Sequence, residues 1–239
     1  MAFLLAMKTD LYPYQGVLLD KLLEAGFYRM HQHVFTTDFT FLNDDFFSLF
    51  WLRTDLSKIQ FSTSQLKLQK LNKKFRVEIS VLKLRQEVYD LFNKYRATIN
   101  FDHVNQLDDF ITEESGINRF YSKEVCIYDQ EKLIAFGIFD EGNESIAGII
   151  NFYDPAYKKY SLGKYLMFLK CQYAVSHQMK YYYPGYIAVG YPKFDYKIYP
   201  NIESVEILDP VRAIWFPYST AILYALNKRF EIFLGINGN

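Results

Sequence analysis

Three apolar runs separated by two short polar turns constrain this chain more than any other feature of it. KEVCIYD, KLIAFGIFD and SIAGIINFYD follow one another between residues 123 and 154, joined by DQEK and EGNE. Runs of this length, rich in β-branched and aromatic residues and bounded by turn formers, predict an antiparallel meander. A helix follows. Ser161 is placed to cap it, and Leu162, Tyr165, Leu166, Leu169 and Tyr173 recur on one face. Next comes YYYPGYIAVGYPKFDYKIYP, residues 181–200, in which seven of twenty residues are tyrosine and only two lysines and one aspartate carry charge. A core strand is better served by Val, Ile and Phe, because each buried tyrosine needs a partner for its hydroxyl. The stretch is therefore either an expensive piece of core or the wall of a pocket.

The first half is less regular. Leu18, Leu19, Leu22 and Leu23 have helical spacing and stop at Gly26, a C-terminal cap. FYRMHQHVFTTDF and FFSLFWLRTDL read as strands. SQLKLQKLNKKF reads as a helix with Leu68, Leu71 and Phe75 in one stripe and Lys67, Lys70 and Lys74 in the next. FRVEISV alternates like a strand, and two helical stretches follow, around 83–99 and 103–114. A soft boundary divides a smaller N-terminal α+β lobe, residues 1–84, from a strand–strand–strand–helix–strand unit, residues 85–239. The fold class is α+β, with a mixed sheet flanked by helices.

Lysine plus arginine balance aspartate plus glutamate at 27 each, which does not suggest a general nucleic-acid coat. The charge is nevertheless segregated: eight basic and two acidic residues lie between Asp55 and Arg85, and five acidic residues without a lysine or arginine between Asp102 and Glu114. The lysine stripe is either a solvated helix face or one that follows a polyanion backbone. Two cysteines, Cys126 and Cys171, suit neither a disulfide framework nor a metal quartet, and His31 and His33 lack companion ligands at metal spacing. MAFLLAM is too short for a signal-peptide core, and no run approaches the ~20 apolar residues of a membrane span, so a cytoplasmic protein is expected.

The strand–strand–strand–helix–strand order resembles the acetyltransferase-like (GNAT) fold. That fold holds the pyrophosphate of coenzyme A on a glycine-rich helix start. The equivalent YKKYSLGKY has Gly163 alone, with Tyr165 where a small residue would be needed. NFYDPAYKKYSLGKYLM, YYYPGYIAVGYPKFDYKIYP and RAIWFPY together resemble the C-terminal half of aminoacyl-tRNA–protein transferases, the arginyl- and leucyl-transferases of the N-end rule. The shared motifs fall on Phe152–Pro155, Ser161–Gly163, Tyr181–Ile187, Pro192–Lys197 and Trp215–Pro217. LLDKLLEAGFYRMHQHVF and FSTSQLKLQKLNKKFRV are similar to the family's N-terminal half. Two departures stand out. The family's N-terminal cysteine pairs, which bind a metal or an iron–sulfur cluster, are absent from TTDFTFLNDDFFSLFWLR, and the two arginines usual after the serine–glutamine pair are Leu66 and Lys67.

The resemblance implies transfer of an amino acid from charged tRNA to the α-amine of an acceptor protein, with no membrane and no DNA involved, and the missing cysteines lead us to expect no metal, cluster or other cofactor. On that reading Asp140, Asp154 and Tyr183 are candidates for proton transfer and oxyanion stabilisation. Tyr153, Ser161, Gly163, Lys164, Tyr186, Lys193, Tyr196 and Lys197, with Lys67, Lys70 and Lys74, are candidates for binding substrate and tRNA. The alternatives are an acyltransferase of the GNAT type with another activated donor, and a binding module that keeps the fold without catalysis. For Tyr181–Tyr183 packing on the helix behind is an equal alternative, and Asp154 before Pro155 suits a plain turn.

Overall fold

The two polar turns do what their composition predicts. In the computed structural model, which describes residues 5–7, 13–42, 45–99, 106–111, 118–199, 201–233 and 235, they join three antiparallel strands. In chain order the elements are β1 (Leu5–Met7), α1 (Gly16–Glu24), β2 (Tyr28–Met30), β3 (His33–Thr36), β4 (Phe39–Leu42), β5 (Asp45–Asp55), α2 (Thr63–Asn72), β6 (Arg76–Val81) and α3 (Gln86–Arg96). There follow α4 (Asp108–Ile111), β7 (Ser122–Asp129), β8 (Lys132–Glu141), β9 (Ser145–Tyr153), α5 (Leu162–Ser176), β10 (Tyr181–Ala188), β11 (Val205–Asp209), β12 (Ile214–Pro217) and α6 (Thr220–Phe233). Short 3-10 turns at Pro155–Tyr160 and Pro192–Ile198 flank α5 and β10.

The large sheet runs β12-β11-β5-β10-β9-β8-β7-β6, with β4 hydrogen-bonded to β5; β1, β3 and β2 form a separate small sheet. It is mixed, because β10 runs parallel to β9 and antiparallel to β5. The sheet crosses the expected boundary at residue 84: β5 and β6 come from before it and lie among strands from after it.

Both faces of the sheet are covered, which explains why β8 is buried over nearly its whole length. On one face α5 packs with Phe139, Ile146 and Tyr182, and α6 packs with Phe50, Leu52, Ile187 and Ile207. On the other, α3 covers Phe136 and Phe152, and α1 with the small sheet covers Trp51, Ala147 and Tyr183. Gly142 in the second turn of the meander is required by packing: a Cβ there would stand 2.1 Å from Asp20 Oδ1. Asp20 of α1 accepts from the amides of Asn143 and Glu144 at 3.0 and 3.1 Å, pinning the helix to the turn.

Three local expectations are corrected. Leu71 is exposed, and the inner face of α2 is made instead by Gln65, Leu68 and Asn72 with Phe75 beyond. The two polar residues earn burial through hydrogen bonds, Gln65 to the Ser62 amide at 2.6 Å in a capping box and Asn72 to the carbonyls of Leu68 and Tyr160. Ser161 occupies the cap position of α5 in the left-handed region, φ 51°, and its side chain makes no capping bond. The helix expected around 83–99 is the shorter α3; that around 103–114 is described only at residues 106–111, where α4 lies, and the rest falls outside the described residues. Among the described residues no helix is long and apolar enough to cross a membrane.

Candidate functional site

β9 and β10 are hydrogen-bonded partners for three residues only: Tyr181 faces Ser145, Tyr182 faces Ile146 and Tyr183 faces Ala147. Beyond that point the two strands no longer pair with each other, β9 staying on β8 and β10 on β5, so they part toward their C-terminal ends. The Tyr28 hydroxyl stands where they divide, 3.1 Å from the Gly148 carbonyl oxygen of β9 and hydrogen-bonded to the Tyr183 carbonyl of β10. Behind it Tyr182 lies so close that a Cβ on Gly148 would meet its hydroxyl at 2.7 Å. This glycine buys the close approach of a ring, with no positive φ involved.

The turn Pro192–Ile198 folds back onto the free edge of β10. Its Lys197 lies over Gly185, whose φ of +106° and missing side chain leave the space; a Cβ there would stand 3.1 Å from Nζ. Nζ donates to the Tyr186 carbonyl at 3.0 Å and sits 4.3 and 4.7 Å from the ring centroids of Tyr186 and Phe194. Burial lowers the pKa of this amine to about 7. The neighbouring Tyr196 is pushed up to about 12 by burial first and by the hydroxyls of Tyr95 and Tyr186 second. Tyr95 of α3 packs on Tyr153 at the end of β9, ring centroids 5.4 Å apart, and Tyr153 in turn leans on Gly163 at the start of α5. Four tyrosines thus run from Lys197 to the N-terminus of α5, where backbone amides have no helical acceptor.

A lysine surface adjoins that helix start. Asn72 and Lys74 tie α2 to the turn Pro155–Tyr160, Lys74 donating to the Tyr160 hydroxyl at 2.8 Å. Lys67, Lys70, Lys73 and Lys74 from this helix and its end, Lys158 and Lys159 from the turn and Lys164 from α5 are all exposed. Lys67, Lys70 and Lys74 thus stand on or at the end of α2, which packs against α5 and the turn before it, Ser161, Gly163 and Lys164 stand at the start of α5, and Tyr153, Tyr186, Tyr196 and Lys197 lie around the parting. Lys193 is exposed on the turn that carries Lys197.

Of the three candidates for proton transfer, Asp140 and Asp154 are tied up in ion pairs, and Tyr183, although it is the last residue of β10 paired with β9, has its side chain buried. Asp140 is fully buried in an ion pair with Arg29, Nη1 to Oδ1 at 2.8 Å, and accepts from Ser122 Oγ at 2.6 Å. Arg29 is committed in the same way, donating also to the Ile111 carbonyl, so this cluster fastens the small sheet and α4 to β7 and β8. Asp154 is likewise 0% exposed. Burial alone would raise its pKa, but hydrogen bonds from Lys132, Lys94 and the Ala156 amide hold it at about 2. It is the turn residue that its place before Pro155 suggested. Tyr183 is buried against Trp215, and burial raises its pKa. Lys197 is drawn inward to the Tyr186 carbonyl.

Tyr28, Tyr95 and Gly148 escaped sequence reasoning, because nothing local distinguishes them. Lys170 could have been found, as a charged residue inside the otherwise apolar LMFLKC. It is completely buried under a β-bulge, donating to the carbonyls of Ile138 at 2.6 Å and Ile150 at 3.3 Å. Among the described residues no three His, Cys, Asp or Glu side chains are placed to hold a metal ion.

Residues 87–205, which contain the parting strands, the Pro192–Ile198 turn and the start of α5, match the family model for the C terminus of arginine-tRNA-protein transferases. An aspartate/glutamate leucyltransferase of Leptospira interrogans is 29% identical over 165 residues, 66% of this chain and 63% of that protein, just under two thirds of its length. One from Hahella chejuensis is 24% identical over 204 residues, 83% of this chain and 82% of that one. Arginyl-tRNA--protein transferase 1 of Arabidopsis thaliana is 32% identical over 95 residues, 38% of this chain and 15% of that one. The motifs around the tyrosine-rich strand, the matching family model and these relatives agree: the chain belongs to the aminoacyl-tRNA–protein transferases.

Proposed function

We propose that this protein moves an amino acid of the arginine or leucine class from charged tRNA to the N-terminal α-amine of a protein, and that the aminoacyl end enters where β9 and β10 part. The observation that carries this reading is that parting: an aromatic-lined opening in the sheet next to a lysine surface and an uncapped helix start. The arrangement of an antiparallel meander, a helix and a parallel strand that diverges supports an acetyltransferase-like (GNAT) sheet. Residues 1–84 supply the lysine helix, Tyr28 where the strands divide and β5 beside β10; residues 85–239 supply the two parting strands.

An aminoacyl ester is already activated, so positioning of amine and carbonyl carbon in a near-attack geometry does much of the work. Tyr186 and Tyr196 offer ring faces to the terminal adenosine or the aminoacyl group and hydroxyls to a developing oxyanion. Lysines 67, 70, 74 and 164 meet the tRNA backbone, a sequence-independent and salt-sensitive contact. The reaction needs no metal or cluster in this reading. The Leptospira and Hahella relatives are aspartate/glutamate leucyltransferases, which makes leucine and acidic N-termini the first pairing to try. The test is incubation with total charged tRNA, one labelled amino acid at a time, and peptides of varied N-terminus. Transfer of label to the peptide α-amine is expected. Acylation from acetyl-CoA instead would assign the site to the acetyltransferase reading, and absence of both would leave a binding module.

A further inference from the structure

Resting on the transferase reading, we propose that Lys197 is the base that takes the proton from the incoming α-amine. Its amine is the one cationic-type group, among the described residues, held against the unpaired edge of β10 at the opening, and Gly185 keeps the space for it. Among the described residues it has no carboxylate partner: its hydrogen bond goes to the neutral Tyr186 carbonyl, and two aromatic rings flank it. The titratable groups around it are the hydroxyls of Tyr186 on β10 and Tyr196 on its own turn, while Asp195 and Lys193 of that turn are exposed. Burial is what lowers its pKa to about 7. An α-amine has a reference pKa near 8, so the two groups are matched for transfer near neutrality. The alternative bases expected from the sequence, Asp140 and Asp154, are sealed into ion pairs with Arg29 and with Lys94 and Lys132.

The step balances as follows. Neutral Lys197 accepts one proton from the acceptor's α-ammonium and becomes an ammonium. The freed amine nitrogen attacks the ester carbonyl carbon, forming the C–N bond. Collapse of the tetrahedral intermediate breaks the C–O bond to the terminal ribose, whose oxygen takes the second amine proton. Lys197 returns its proton to solvent, so one proton is released for each amide formed.

Two variants test the inference. Lys197→Met removes the amine, and Lys197→Arg keeps a donor for the Tyr186 carbonyl but stays protonated. Single-turnover transfer from charged tRNA is measured against pH, with charged-tRNA affinity measured in parallel. Both variants should bind tRNA like the wild type and lose about tenfold in rate at pH 7, where about a tenth of an α-amine of pKa near 8 is neutral without help. Their loss should shrink toward alkaline pH as the acceptor amine deprotonates unaided. A transfer rate within a few-fold of wild type at pH 7, or a loss with an unaltered pH profile, overturns the proposal; if Lys197→Met does not fold, the arginine variant decides alone. A separate readout keeps this distinct from failure of the transferase reading. NMR titration of 13Cε-labelled lysine should show two side chains titrating near pH 7, one that vanishes in the Lys197 variants and one, from Lys170, that remains. An inactive wild type that shows the Lys197 titration rejects the transferase reading; an active one that lacks it rejects Lys197 as base.

Discussion

The two sides of β9 treat a lysine in opposite ways. On the β8 side the ladder is continuous apart from the bulge at Ile149, and Lys170 rises from α5 to satisfy two carbonyls there with no exposure at all. On the β10 side pairing stops after three residues, and Lys197 reaches the free edge from a surface turn whose other residues are partly open. Burial lowers both amines to about 7. A shifted pKa alone therefore does not mark a working group. Lys170 fills a gap in a closed ladder, whereas Lys197 faces one that the strands leave open. Changes on the closed side should cost stability and leave the chemistry of folded molecules intact; changes on the open side should do the reverse.

The largest stability effect is expected from Arg29→Met, which leaves Asp140 buried without its cation. Removing one partner of such a pair costs about 3–5 kcal/mol, measurable by chemical denaturation at pH 7. A loss under about 1 kcal/mol would mean that the cluster is not what fastens the small sheet to β7 and β8.

Lys170→Met comes next. It strands the carbonyls of Ile138 and Ile150, at about 1–3 kcal/mol where the wild-type amine is neutral. The pH dependence follows from the lowered pKa. Between about 7 and the unfolded value of about 10.4 the unfolded chain binds more protons, so wild-type stability rises with pH across that window. The variant lacks this rise, so the difference between the two should be larger at pH 9.5 than at pH 7. Equal differences at both would show that Lys170 stays charged in the fold.

On the open side, Lys70→Ala and Lys74→Ala should each weaken tRNA binding several-fold. Each should also flatten the slope of log affinity against log salt by about 0.7–0.9. Unchanged slopes would return α2 to an ordinary solvated face.

The smallest effect is the most discriminating in sign. A Cβ at Gly163 meets only the Tyr153 ring, at an ordinary 3.6 Å, so the protein itself does not need glycine there. Gly163→Ala should stabilise the fold by up to about 0.5–1 kcal/mol. It should also weaken binding of charged tRNA, if an anion approaches the backbone at the start of α5. Stabilisation with unchanged tRNA binding would remove that helix start from the site.

Much of this fold was legible in local sequence. The meander, α5 and the tyrosine strand announce themselves by turn chemistry and periodicity, and the motifs from Phe152 to Pro217 carry the family. The site was legible only in part, since it depends on where the strands of one sheet stop pairing. That is a long-range property, set by Tyr28 from another strand, by Tyr182 against Gly148 and by a turn that folds back along β10. Asp140 and Asp154 are candidates for proton transfer in sequence, and the structure ties both up in ion pairs. Their cations, Arg29, Lys94 and Lys132, are distant or unmarked in sequence. The α2 stripe misled for a related reason, since Gln65 and Asn72 are buried by hydrogen bonds that hydrophobic periodicity does not register.

The central claim is that the reacting end of charged tRNA enters where β9 and β10 part. A crystal structure with a hydrolysis-resistant amide analogue of 3′-aminoacyl-adenosine tests it most directly. The account predicts the analogue between the two strands, its acyl group beside Tyr186 and Lys197 and its adenosine toward Tyr153 and Gly163. An analogue bound anywhere else on the protein, with the edge of β10 untouched, would contradict it.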